Sequence, residues 1–153
     1  MTASDVYHVG ILVNDLTEGM ARFSTVLGLS FDEPKTVPLT LEIDGEAVPG
    51  EVTCVYSVEG PPFVELIEAQ ADGLWGHQHG EGLHHIGSWE EDLEARLEEL
   101  LAEGAYVDVK AAIGDQFVAA YLKPEPIHNT RLELVARRAE SVLPSAKVRG
   151  VAP

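Results

Sequence analysis

Apolar residues recur at i, i+4 and i+7 in two stretches of the chain, Leu16–Phe23 and Leu93–Leu100. This spacing predicts two amphipathic helices, one in each half of the chain. An aspartate precedes each stretch and can cap the helix N-terminus, and a glycine follows each and can end the helix in a left-handed conformation. The candidate capping residues are Asp15 and Asp92 at the starts and Gly28 and Gly104 at the ends.

Runs rich in β-branched and aromatic residues surround the two helices and predict strands. One run, Tyr7–Val13, precedes the first helix. The stretch 33–50 contains three prolines and is ambiguous, with a short strand possible at Thr40–Ile43. The predicted strands after the helices are Val52–Val58 and Phe63–Glu68 in the first half, and Phe117–Leu122 and Arg131–Val135 in the second.

The two halves of the chain repeat one another at an offset of about 77 positions. The motif Y-H-V-G, followed by N-D-L, recurs as H-H-I-G followed by E-D-L, and V-E-L-I of the first half resembles L-E-L-V of the second. Each half reads strand, helix, then two or three strands, and is too small to form a good core alone. We therefore predict one domain at 1–137, with module 1 at about 5–68, a connector at 69–82 and module 2 at about 83–137. Residues 138–153 are predicted to form a loose C-terminal tail.

Four polar residues interrupt the apolar strands at equivalent positions of the repeat: His8, Glu65, His85 and Glu133. A glutamate that shares a strand face with apolar residues has a large desolvation cost unless it is paired or bound to a cation. Two neutral imidazoles and two carboxylates carry a charge of about −2, which a divalent ion neutralises. The repeat therefore predicts one metal site with these four ligands, and the mixed donors suit Co, Mn, Ni, Zn or Fe(II) without choosing among them.

The adjacent histidines His84 and His85 are expected to point to opposite faces of their strand, and the repeat selects His85 as the ligand because it matches His8.

The charge and cysteine content narrow the partners and the compartment. The formal charge is −16, from ten Lys and Arg against 26 Asp and Glu, which argues against nucleic acid and anionic membranes as partners. The single cysteine, Cys54, cannot form an intrachain disulfide, and no apolar stretch is long enough to span a bilayer. We expect a cytoplasmic protein with a small-molecule substrate. Its few candidate anion-binding residues are Arg22, Lys35, Lys110, Lys123 and Arg131.

The motifs H-V-G-I, V-E-L-I, L-H-H-I-G and L-E-L-V resemble those of the vicinal oxygen chelate (glyoxalase/bleomycin resistance) superfamily over about residues 5–137. The run G-E-G-L-H-H-I-G is most similar to the methylmalonyl-CoA epimerase branch, whose members often have glutamine where Glu65 stands. The resemblance implies an α+β fold in which two βαβββ modules form a half-open barrel around a metal cleft, and it implies a homodimer. It also implies that His8, Glu65, His85 and Glu133 bind the metal.

Two free coordination positions would let a substrate chelate through two oxygens, and the ion would stabilise charge that develops when a neighbouring carbon loses a proton. The predicted function is a metal-dependent isomerase or epimerase of this kind, acting on a methylmalonyl-CoA-like substrate. Glu133 and Glu51 are the candidate catalytic residues; Glu51 is chosen because it lies near where the epimerases carry a catalytic glutamate. Other candidates for the acid or base are Glu46, His77, His79 and His84.

Two features differ from the epimerase pattern: basic residues are scarce for a coenzyme A ester, and the segment before Glu133 lacks the usual H-P-K turn. A glyoxalase I-like lyase uses the same ligand set and is one alternative. A ring-cleaving iron dioxygenase typically has only two histidines and one glutamate as ligands. A metal-free binding protein of the same superfamily is the alternative from a different class.

Overall fold

The computed structural model describes residues 4–143 and contains two α-helices and eight strands in that range. Module 1 contributes β1 (Asp5–Val13), α1 (Leu16–Leu27), β2 (Lys35–Ile43), β3 (Glu46–Tyr56) and β4 (Phe63–Glu68). Module 2 contributes β5 (Gly82–Glu90), α2 (Leu93–Ala102), β6 (Val107–Ile113), β7 (Gln116–Leu122) and β8 (Leu132–Ala136). Three short 3-10 helices complete the described chain, at His77–His79, Glu125–Ile127 and Arg137–Val142.

The eight strands form one closed barrel in the order β1-β4-β3-β2-β6-β7-β8-β5. Within each module the first and last strands pair in parallel, β1 with β4 and β5 with β8, and the remaining neighbours are antiparallel. The modules join through two antiparallel ladders, β1–β5 and β2–β6. The predicted α+β class with two βαβββ modules is confirmed. The ring of strands is closed rather than half-open, because Thr40–Glu42 of β2 pair with Lys110–Ala112 of β6.

Both helices begin where the capping aspartates predict. The side chain of Asp15 accepts a hydrogen bond from the Glu18 amide at 2.8 Å, and that of Asp92 accepts one from the Ala95 amide at 3.0 Å. Helix α1 ends at Gly28, which has φ +68°, as predicted. Helix α2 ends at Ala102, two residues before Gly104, so the helix is slightly shorter than predicted.

The ambiguous stretch 33–50 forms a long hairpin of β2 and β3. Of its three prolines, Pro34 precedes β2, and Pro38 and Pro49 occupy exposed, outward positions of the ladder. The two-residue turn is Asp44–Gly45, with φ of +52° and +81°, and Asp-Gly is a strong hairpin signal that the sequence carried. Strand β6 had no predicted counterpart, since Val107–Ile113 mixes polar and small residues.

The core fills the barrel and the space beneath the helices. Among the described residues, no helix is long and apolar enough to cross a membrane. The first residues of the predicted tail lie in the 3-10 helix Arg137–Val142, where Ala139 is fully buried, and residues 144–153 of the tail lie outside the described range.

Candidate metal centre

The ladder between β1 and β5 brings the two histidines of the repeat together. Its register shifts twice, so that Tyr7 is an extra residue in β1 and His84 is an extra residue in β5. Each extra residue immediately precedes one of the histidines predicted as ligands. A β-bulge of this kind breaks the alternation of side chains between faces and re-aims the residues around it.

Two glycines provide the space for the imidazole rings. Gly87 lies opposite His8 in the ladder, and Gly10 lies opposite His85. A Cβ atom on Gly87 would lie 1.9 Å from the His8 ring, and one on Gly10 would lie 2.1 Å from the His85 ring. Both positions therefore require glycine, because the ring of the facing strand occupies the volume of a side chain.

Four donor atoms from the two modules converge at this point of the barrel. The Nε2 atoms of His8 and His85 are 2.9 Å apart. Glu65 Oε2 lies 3.4 Å from His8 Nε2 and 3.3 Å from His85 Nε2, and Glu133 Oε2 lies 3.0 Å and 3.2 Å from the same two atoms. All four side chains are buried, and their ligand atoms lie within 4.8 Å of one another.

These separations fit donors arranged around a single ion. Atoms that lie about 2.0–2.2 Å from a common metal are about 3.0 Å apart at right angles and about 3.4 Å apart at tetrahedral angles. The donor chemistry also fits, since two imidazoles and two carboxylates suit a divalent transition metal. The described residues thus form a buried cluster that could bind a metal ion, and this centre brings together all four ligands predicted from the sequence.

The carboxylates and imidazoles stabilise one another's charged forms. Burial alone lowers the pKa of His85, but the charge and hydrogen bonds of Glu133 and Glu65 outweigh it and raise the pKa to about 9. Burial alone raises the pKa of Glu65, but hydrogen bonds from His8 and His85 outweigh it and lower the pKa to about 2. The protein without an ion therefore keeps His85 protonated at neutral pH, and a metal must displace that proton.

Each glutamate lies opposite a tyrosine on the neighbouring strand: Glu65 pairs with Tyr56 and Glu133 with Tyr121. The Tyr121 hydroxyl donates a hydrogen bond of 2.6 Å to Glu133 Oε1, which leaves Oε2 directed at the histidines. Sequence reasoning missed both tyrosines. Their signal was present, since a tyrosine occurs near the end of the penultimate strand in each half.

The structure corrects the expectation for His84, whose ring does not lie on the far face of β5. At the bulge, His84 Nδ1 comes within 2.9 Å of His85 Nδ1, and His84 Nε2 lies 2.7 Å from the carbonyl oxygen of Leu74. Burial and the neighbouring His85 lower the pKa of His84 to about 4.

The structure also corrects Glu51 as a candidate catalytic residue. Side chains alternate along β3, and its neighbours Val52 and Cys54 face the barrel interior, so Glu51 points outward and is exposed. Its backbone carbonyl accepts a hydrogen bond from Gln70 on the outer surface. Glu46 is likewise exposed, at the tip of the β2–β3 hairpin. His77 and His79 lie in the exposed 3-10 helix of the connector.

A cavity of about 50 Å³ inside the barrel is lined by two of the four donors, Glu65 and Glu133. This volume has room for about four water-sized groups, so it can hold the reacting fragment of a substrate and not a large ester. In the described part of the chain, Glu65 and Glu133 are the carboxylates in its wall, which contains no Lys or Arg. Most of the remaining wall is apolar, and it also contains three tyrosines and Cys54.

The chain matches the sequence model of the Glyoxalase/Bleomycin resistance protein/Dioxygenase superfamily over residues 7–120. The protein belongs to this superfamily. No curated protein matches its sequence. Similar solved structures include a hypothetical protein from Bacillus halodurans C-125, with a TM-score of 0.66, 18% identity and coverage of 89% of this chain and 96% of the other.

Methylmalonyl-CoA epimerases have the same fold. The enzyme from Mycobacterium tuberculosis has a TM-score of 0.65 and 18% identity, covering 89% of this chain and 92% of the other. A variant of the Streptomyces coelicolor enzyme in complex with 2-nitronate-propionyl-CoA has a TM-score of 0.62 and 21% identity, covering 88% and 95%. The predicted resemblance to this superfamily and its epimerase branch is confirmed at the level of fold.

Proposed function

We propose that the protein is a metal-dependent enzyme that isomerises or epimerises a small chelating substrate by moving a proton at a carbon next to a carbonyl. The observation that carries this proposal is the convergence of two imidazoles and two carboxylates beside a small cavity whose wall is largely apolar. Proton abstraction next to a carbonyl needs a base within reach and stabilisation of the negative charge that develops.

In this proposal His8, Glu65, His85 and Glu133 hold one divalent ion, which could be Co, Mn, Ni, Zn or Fe(II). A bound ion would supply electrostatic stabilisation of the charge on the substrate oxygens. The fit rests on donor separations of 2.9–3.4 Å and on the charge balance of the four side chains.

Glu133 is the proposed base. Its Oε1 atom accepts the Tyr121 hydroxyl, and its carboxylate lines the cavity, so a carbon held there would lie next to an ionised acceptor. Glu65 comes from the equivalent strand of the other module and lines the same cavity. Epimerisation needs a second acid or base, and Glu65 is the other carboxylate that a substrate in this cavity would meet.

A glyoxalase I-like isomerisation is a second candidate. It needs one carboxylate to carry a proton between neighbouring atoms, and the cavity wall of the described residues offers no acid besides Glu65 and Glu133.

The scarcity of basic groups favours a substrate with few phosphates. Five of the eight Lys and Arg residues in the described range form ion pairs with acids: Arg96, Lys110, Arg131, Arg137 and Arg138.

The test is hydrogen exchange in deuterium oxide, followed by NMR. Protein freed of metal and reloaded with each of the five metals is incubated with chelating acids and acyl thioesters, beginning with methylmalonyl-CoA and a small analogue without phosphates. We expect metal-dependent exchange at the carbon between the two oxygens. Glu133→Gln should lower its rate about 10²–10⁴-fold, the usual contribution of a general base.

Glu51→Gln is the matched control, because Glu51 lies exposed on the outer face of β3 and should leave exchange unchanged. Metal binding without exchange of any substrate would overturn the proposed reaction and leave the metal site intact. A protein that binds none of the metals would overturn the proposal altogether.

A further inference from the structure

A continuous chain of ring contacts leads from the connector to the four donors. The carbonyl oxygen of Leu74 lies 2.7 Å from His84 Nε2, and His84 Nδ1 lies 2.9 Å from His85 Nδ1. On the other side of its ring, His85 Nε2 lies 3.3 Å from Glu65 and 3.2 Å from Glu133. Leu74 and both histidines are buried, so water does not compete for these contacts.

The direction of each hydrogen bond follows from the first acceptor. A carbonyl oxygen only accepts, so His84 Nε2 carries the hydrogen that it donates to Leu74. The other nitrogen of a neutral imidazole is then an acceptor, and His84 Nδ1 accepts from His85 Nδ1–H. Neutral His85 therefore keeps its hydrogen on Nδ1 and presents a bare Nε2 lone pair to the other three donors.

We propose that His84 is a positioning residue that holds His85 in the Nδ1–H tautomer and orients its ring for metal binding. This inference rests on the metal site of the proposed function. Histidine ligands generally donate their outer ring N–H to a carboxylate, carbonyl or water, which fixes the tautomer and raises ligand basicity. Here a second imidazole takes that place and is itself anchored to the backbone of Leu74.

The first module lacks this device. The residue before His8 is Tyr7, whose ring packs edge-on against the imidazole at 4.4 Å between centroids. In the described part of the chain, His8 Nδ1 has no hydrogen-bond partner. Only one of the two histidines is thus oriented through its outer nitrogen, so loss of His84 should weaken the centre noticeably.

Three variants separate the role of His84 from simple packing. His84→Asn places an amide oxygen near the Nδ1 position and keeps an acceptor for His85. His84→Gln places its amide near the Nε2 position and keeps the contact to Leu74 but loses that acceptor. His84→Leu removes both. The dissociation constants for Zn²⁺ and Co²⁺ are measured by competition with a chelating dye, with circular dichroism as the check on folding.

We expect His84→Leu and His84→Gln to weaken metal binding about 10–100-fold, the usual range for a partner of a ligand, and His84→Asn to stay within a few-fold of wild type. In ¹⁵N-labelled wild-type protein loaded with Zn²⁺, NMR should show a hydrogen on His85 Nδ1 and a ¹⁵N–¹⁵N coupling across to His84 Nδ1.

Equal losses in all three variants, or a His85 hydrogen on Nε2 in the metal-free protein at high pH, would overturn the inference. So would unchanged binding in His84→Leu, and that result would leave the proposed metal site intact. A wild-type protein that binds neither ion would instead overturn the proposed function, and the role of His84 with it.

Discussion

Tyrosine and glutamate side chains face one another across neighbouring strands of both modules. In module 2 the Tyr121 hydroxyl donates to Glu133 Oε1, while the other carboxylate oxygen faces His8 and His85. Burial and the nearby Glu133 raise the pKa of Tyr121 well above its usual value, so the phenol keeps its hydrogen and acts as a donor. A single hydrogen bond from the neutral phenol to the carboxylate thus decides which oxygen of Glu133 reaches the centre.

Tyr121→Phe tests this at the level of one atom. Phenylalanine keeps the ring and its packing but frees Glu133 to rotate, so we expect metal affinity to fall about 10–100-fold with little change in fold. Isothermal titration with Zn²⁺ or Co²⁺ measures the effect. Tyr106→Phe is the control, since Tyr106 is 61% exposed and should titrate like wild type. Equal affinities in the two variants would contradict the role given to Tyr121.

At the level of elements, the β1–β5 ladder builds the centre. Its two bulges, at Tyr7 and His84, precede the two histidines, and its two glycines lie opposite them. The arrangement is reciprocal, because Gly87 in β5 makes room for His8 in β1, and Gly10 in β1 makes room for His85 in β5. The histidine pair therefore depends on the pairing of the two modules.

Gly87→Ala should disrupt the centre without touching a ligand. The new Cβ would lie 1.9 Å from the His8 ring, so the ring or the strand must shift, and we expect metal binding to fall by at least tenfold. The same titration measures the metal affinity of Gly87→Ala and of a control variant, Gly19→Ala. Its Cβ would lie 3.2 Å from Val13 beneath helix α1, and the three atoms nearest to it all belong to the Val13 side chain. Normal binding by Gly87→Ala would mean that the pocket for His8 is less confined than the structure indicates.

At the level of the whole molecule, each module supplies one imidazole and one carboxylate, and the closed barrel encloses all four. The centre is thus complete within one chain. The predicted homodimer and cytoplasmic location stay predictions. The buried charges also link stability to pH, since a group whose pKa is raised on folding stabilises the folded state below its unfolded pKa.

The metal-free protein should therefore lose stability on the alkaline side. The pKa of His85 rises from 6.5 to about 9 on folding, so its contribution is complete below pH 6.5 and is lost as the pH rises through 9. Thermal melts between pH 6 and 9 should show this decline in wild type and in the surface control His128→Asn, and a smaller decline in His85→Gln, where His8 still has a raised pKa. A wild-type melting temperature that stays constant over this range would contradict the proposed charge state.

The repeat, and the alternation of inward and outward side chains along its strands, determined much of the fold and of the candidate site from sequence alone. Period-two patterns place His8 and Glu65 on inward faces of their strands, and the repeat extends the same placement to His85 and Glu133. The helices and their caps follow from the spacing of apolar residues and from the capping residues beside them, and both signals lie within one short stretch of sequence. The superfamily follows from these local motifs together.

The tertiary structure alone decided the contacts that depend on register between strands. The pairing of β1 with β5 decides which residue is the extra one at each bulge, and it therefore decides where His84 points. The outward position of Glu51 and the bond from Tyr121 to Glu133 likewise follow from pairing with neighbouring strands. A shift of one residue in the pairing register moves every side chain of a strand to the opposite face. The pattern within one strand does not determine the register in which it pairs with its neighbour.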